Sequence, residues 1–233
     1  MVSPNSERSQ KTNHPMPPSK RKSGACDLPY AVHPSIAHSK KILDNLPKTT
    51  GRSLAEWTAF LKRECPNSAS VRERRDCLLQ TQKVSQMVAG MIADISLGGG
   101  RDYADPDAYL EDCPGYIETL YSGPKAPLRP IHDKLISLAM TLGPELKISP
   151  CKTIIPLYRN RVFAQIKPAT LKRIDFGMAL KGSNRKPPDR VIDTGGLAKN
   201  DRITHRIALS TPDEVDDFVA EWMSHAFDLD AEK

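Results

Sequence analysis

The chain has 233 residues, 39% hydrophobic, with 34 Lys/Arg against 28 Asp/Glu for a formal net charge of +6. That length allows one or two domains. The five cysteines (Cys26, Cys65, Cys77, Cys113, Cys151) are odd in number and show no CxxC or His/Cys ligand spacing, which argues against a disulfide framework or a zinc site. With no apolar leader and no run of membrane-spanning length, the reading is a reducing, cytoplasmic setting with no membrane partner and no cofactor.

Charge is unevenly placed: residues 1–50 carry +5, 51–151 carry −1, 152–206 carry +9 and 207–233 carry −7. Residues 1–33 read as a disordered basic tail, rich in Ser, Pro and Lys, with the cluster Lys20-Arg21-Lys22. A small helical domain is expected over 34–97. Ile36, Ile42, Leu43 and Leu46 suit a first helix ended by Pro47. Ser53-Leu54-Ala55-Glu56 has the spacing at which Ser and Glu cap each other's backbone N–H, and Leu54, Trp57 and Leu61 then share one face. A third helix should start near Ser70, and a fourth should run from about Val84 to Ile95.

Gly98-Gly99-Gly100 and the Asp/Pro run after it read as a linker over 98–115. The glycines follow a helix and lack a lysine partner, so they do not form a phosphate-cradling loop. The second domain is expected over 116–229. Leu128, Ile131, Leu135, Leu138 and Leu142 carry a helical period up to Gly143-Pro144. Four strands follow, at 154–158, 162–167, 174–180 and 203–209, and a helix opens at Thr211-Pro212. The fold class is therefore α+β: a small all-helical domain, then an α-β-β-β-β-α domain with a four-stranded, mainly antiparallel sheet.

No catalytic constellation emerges. Cys151 beside Lys152, with His205 as its base, would need a contact that no spacing supplies. Glu145-Leu146-Lys147 matches a nuclease-like pattern but lacks an upstream strand Asp, so it reads as a helix–strand connection. Residues 70–95 could form a helix-turn-helix, but Lys83 alone is little charge for a DNA reader, and a plain bundle fits better. The candidate ligand-binding set is Lys152, Tyr158, Arg159, Arg161, Phe163, Lys167, Arg173, Arg202 and His205. Alternation puts Phe163, Gln165 and Lys167 on one sheet face, where an aromatic among cations can stack a flat ligand while the charges hold phosphate. The competing reading is a charged exposed face that deters aggregation. The functional expectation is a non-enzymatic binding module for an anionic ligand or nucleic acid. The alternatives are an enzyme site under the 182–201 loop, using Arg190, Asp193, Lys199, Arg202 and His205, or a protein–protein adaptor.

Two bacterial domain families resemble the chain. Residues 41–123, through LPKTTGRSLAEW, SVRERRD and AGMIAD, resemble the domain of unknown function 4287. Residues 121–228, through YSGPKAPLRPIHDKL, LGPELKISPCKTIIPLYRNRVFAQIKP, RIDFGMAL and ITHRIALS, resemble the domain of unknown function 5655. The resemblance implies the two-domain layout and supplies no reaction.

Overall fold

In the computed structural model, which describes residues 28–231, two serines start helices by the same device. Ser53 and Ser70 each accept the N–H three residues on, and Glu56 and Glu73 reach back to the serine N–H at 2.7 Å. Five helices make the helical half: α1 (Pro34–Asp44), α2 (Leu46–Thr50), α3 (Leu54–Glu64), α4 (Val71–Thr81) and α5 (Gln86–Ser96). Leu46, Trp57, Leu61, Leu78 and Ile92 fill their common core. Pro47 opens α2 rather than simply ending α1. The basic cluster at Lys20-Arg21-Lys22 lies outside the described residues.

The stretch read as a linker is largely helical. After a single 3-10 turn at Arg101–Tyr103, α6 spans Pro106–Leu120. Asp105 caps it by accepting from the Asp107 and Ala108 N–H groups, and Pro106 opens it. Tyr109 and Cys113 of α6 are buried with Ile36 of α1, so the start of the helical half leans on this helix.

Then follow α7 (Arg129–Ala139), β1 (Lys147–Ile148), β2 (Ile155–Tyr158), β3 (Val162–Pro168), β4 (Ile174–Met178), β5 (Ile192–Asp193), β6 (His205–Leu209) and α8 (Asp217–Ala231). The α+β class holds, but the sheet has six strands, not four, in the antiparallel order β1-β2-β3-β4-β6-β5. The two added strands are two residues each, too short to show an alternation. Ile155, Leu157, Ile166, Phe176, Ile207 and Leu209 face Leu135 of α7 and Val219, Trp222 and Met223 of α8 in one core.

Phe163 corrects the alternation argument. Leu157 pairs with Ala164 but Tyr158 pairs with Val162, so Phe163 is an extra residue in β3. Such a bulge interrupts the two-residue alternation. Phe163 is fully buried, and its ring meets Phe227 of α8 edge-on at 5.1 Å. It is therefore not on an exposed binding face.

The outer edge of β1 is covered by the start of the described chain. Ala31 N–H donates to the Ile148 carbonyl, Ile148 N–H donates to the Pro29 carbonyl, and Tyr30 bridges Ile148 in parallel. The Ser149 hydroxyl adds a bond to the Ala31 carbonyl at 2.8 Å. Residues 28–33, read from sequence as tail, thus include an edge segment, and pairing of this kind removes an open template for other chains. Ala31→Pro should delete one ladder donor, cost about 1 kcal/mol and speed hydrogen exchange at the Ile148 amide, which an NMR exchange series measures.

Candidate functional site

Helices α7 and α8 cover one face of the sheet. The other face is roofed by the loop between β5 and β6. At Gly177 an added Cβ would lie 2.7 Å from Ile203 Cγ2 and 3.0 Å from Gln165 Cγ, so only glycine lets the loop settle there. The loop is held by Thr194 N–H donating to the Thr204 carbonyl and Asp201 N–H donating to the Gly196 carbonyl. Between loop and sheet lies a cavity of about 470 Å³. Pro156, Tyr158, Val162 and Gln165 form its floor, and Thr194, Asp201, Arg202 and Ile203 form its roof, with His33 at the side.

His33 has a defined tautomer. Its Nδ1 accepts from Ser35 N–H as the cap of α1, which leaves the proton on Nε2. Nε2 stands 3.2 Å from the Tyr158 hydroxyl and donates to it. The Tyr158 hydroxyl proton is then free for an acceptor in the cavity. Burial holds the His33 pKa below its usual value.

Beside the cavity, Asp230 of α8 gathers the β2–β3 turn. Its carboxylate accepts from the Asn160 N–H at 2.9 Å and the Arg161 N–H at 2.7 Å, and it pairs with the Arg202 guanidinium. Arg202 Nε also donates to the Val162 carbonyl at 2.7 Å. The acidic helix therefore neutralises much of the basic segment. Arg159 bonds Glu145 at 2.5 Å and the Phe227 carbonyl at 3.2 Å, with its guanidinium over the Phe227 ring. Arg185 pairs with Glu221 and Arg190 with Asp216, both on or beside α8.

The nine sequence-selected residues do not form one surface. Tyr158 and Arg202 line the cavity. Arg159 and Arg161 sit at the turn, and the Arg161 side chain is half exposed. Lys167 is exposed on β3, while Arg173 bonds Asp175 at 2.8 Å, joined there by Arg206 at 3.2 Å. Lys152 lies over the Tyr103 ring, 5.8 Å from its centroid. Phe163 and His205 are buried, and His205 bonds the Thr204 hydroxyl. Of the residues proposed under the 182–201 loop, Arg190 is drawn to α8, whereas Asp193 bonds the Gly195 N–H. Cys151 donates to the Ser149 carbonyl, and burial pushes its thiol up to about 11, so it is a poor nucleophile at neutral pH. Glu145 of the E-x-K pattern is held in its pair with Arg159. His33, Thr194 and Ile203 went unread because nothing in their spacing ties a chain-start His to a distant loop.

Among the described residues, no group of three or more His, Cys, Asp or Glu is placed to hold a metal ion. No helix there is long and apolar enough to cross a membrane. Residues 117–230 match the family described as Domain of unknown function (DUF5655). Neither the curated proteins nor the solved structures contain a match to the chain.

Removing the buried carboxylate leaves two N–H groups unpaired and takes from Arg202 its only carboxylate among the described residues, so Asp230→Ala should lower stability by about 3 kcal/mol in a denaturant titration. The pH dependence has a definite sign. His33 and the buried His132 both have pKa values lowered by burial from a usual 6.5. The unfolded chain then binds their protons more readily, so stability falls as pH drops below about 6.5. His33→Asn keeps a capping acceptor without the titration, and unfolding curves across this range should show a shallower fall.

Proposed function

We propose that the chain is a binding module whose ligand is a small anion with a flat apolar part, seated on the roofed sheet face. The observation that carries this reading is the cavity itself. Its volume of about 470 Å³ falls within the range of small-molecule sites, roughly 300–1,000 Å³. Its floor offers the Tyr158 ring and the Pro156 and Val162 side chains for apolar contact. Its polar lining combines the free proton of the Tyr158 hydroxyl, the Gln165 amide, the Thr194 hydroxyl and the Arg202 donors not used by Asp230 and Val162, with the Asp201 carboxylate in the roof as the one group that repels an anion.

This reading keeps the expectation of an anionic partner and moves it from the whole cationic surface to one open cleft on the sheet face. The guanidiniums of Arg159 and Arg202 are committed to Glu145 and Asp230, which favours one small ligand over a polymer. The resemblance of residues 41–123 to the domain of unknown function 4287 belongs to the same proposal, as does the division of the chain into a helical and an α+β domain. The four described cysteines are all free thiols, which supports a reducing, cytoplasmic setting.

A thermal-shift panel of nucleotides, sugar phosphates and aromatic carboxylates, run beside oligonucleotides, tests the reading. A small ligand should give saturable binding that Tyr158→Phe weakens about tenfold, since the ring stays and one charge-assisted hydrogen bond goes. Binding by oligonucleotides alone, with a salt slope reduced by Lys167→Glu and no response to Tyr158→Phe, would transfer the function to the open surface.

A further inference from the structure

The helical half has a second cavity, of about 510 Å³, between α1, α2 and the start of α5. Ile42, Val84 and Val88 give it an apolar wall, with Met87 exposed at its rim. Its charged lining is of one sign. Lys41 and Lys83 border it, with the His38 imidazole beside them, and no Asp or Glu does. Among the described residues, neither the Lys41 nor the Lys83 ammonium has a carboxylate within ion-pair distance. The neighbouring Lys40 shows the contrast. It is paired with Asp44 at 2.8 Å, so the acid of α1 is engaged by the lysine that does not line the cavity.

We propose that this groove binds a small amphipathic acid, with its apolar body on Ile42, Val84 and Val88 and its anionic head between Lys41 and Lys83. Burial of the apolar body supplies the larger part of the affinity, because the two ammoniums are exposed and pairs of that kind are individually weak. The head then decides which apolar molecules are accepted. A neutral analogue would leave two like charges unpaired at the mouth, and a cationic one would meet two ammoniums of its own sign. The groove is separate from the sheet-face cavity, and the two share no lining residue.

The site carries its own reporter. Thr50 lines the groove, and its hydroxyl accepts from the Trp57 indole N–H at 2.9 Å. The chain's other tryptophan, Trp222, lies in the sheet core. Titration of the full chain with decanoate, decyl phosphate and decanol, followed by tryptophan emission and by calorimetry, tests the proposal. Decanoate or decyl phosphate should bind saturably, several-fold tighter than decanol, and the preferred head shows whether carboxylate or phosphate is recognised. The Lys41→Glu/Lys83→Glu double variant should weaken the acid about tenfold and leave decanol unchanged. Thr49→Trp, a change at an exposed rim position, should block all three, whereas Tyr158→Phe should alter none. Absence of saturable binding, equal affinity for decanol, or indifference to the charge reversal overturns the assignment.

Discussion

The carboxylate of Asp230 is the joint on which the second half of the chain turns. It is buried, and a buried charge is tolerated only when its oxygens are filled. Two backbone N–H groups of the β2–β3 turn and the Arg202 guanidinium fill them. Three distant pieces of chain are fixed by one group: the end of α8, the turn after β2, and the loop that enters β6. The floor and the roof of the sheet-face cavity are both positioned from this point, since Val162 follows the turn and Arg202 lies in the loop.

That joint also explains the charge profile. A segment of +9 followed by one of −7 has the look of a binding surface with an acidic neighbour. In the fold, much of the contrast is internal. Acidic groups of α8 and its approach receive Arg161, Arg185, Arg190 and Arg202, while Glu145 receives Arg159. The partly exposed pairs among them contribute little each. Their common effect is orientation, because they fix α8 on its face of the sheet and draw the cationic loops toward it. Fewer cations are left unpaired than the charge count suggests.

Local rules were legible where they act through adjacent residues. The Ser53 and Ser70 caps, the apolar face of Val219 and Trp222, and the four longer strands all follow from spacing over a few positions. The extra residue at Phe163 is invisible in that way, because a bulge is a relation between two strands and not a property of one. Helix α6 was hidden for a different reason. Its Asp-Pro opening resembles a turn, and Pro114 interrupts its interior, yet Asp105 capping and the burial of Tyr109, Cys113 and Ile117 hold it. The candidate site was half legible. Tyr158 and Arg202 were singled out by type and location, but His33 reaches the cavity only through the tertiary fold.

The edge segment at 28–31 has a bearing on how the chain reaches this state. Its bond from Ser149 spans 118 residues of sequence. Closing so long a loop is entropically costly, and contacts of this kind form slowly compared with those inside α3 to α5. During synthesis the segment leaves the ribosome well before β1 and β2 exist to receive it. Its docking is therefore a late event, one that marks the completion of the sheet and does not start it.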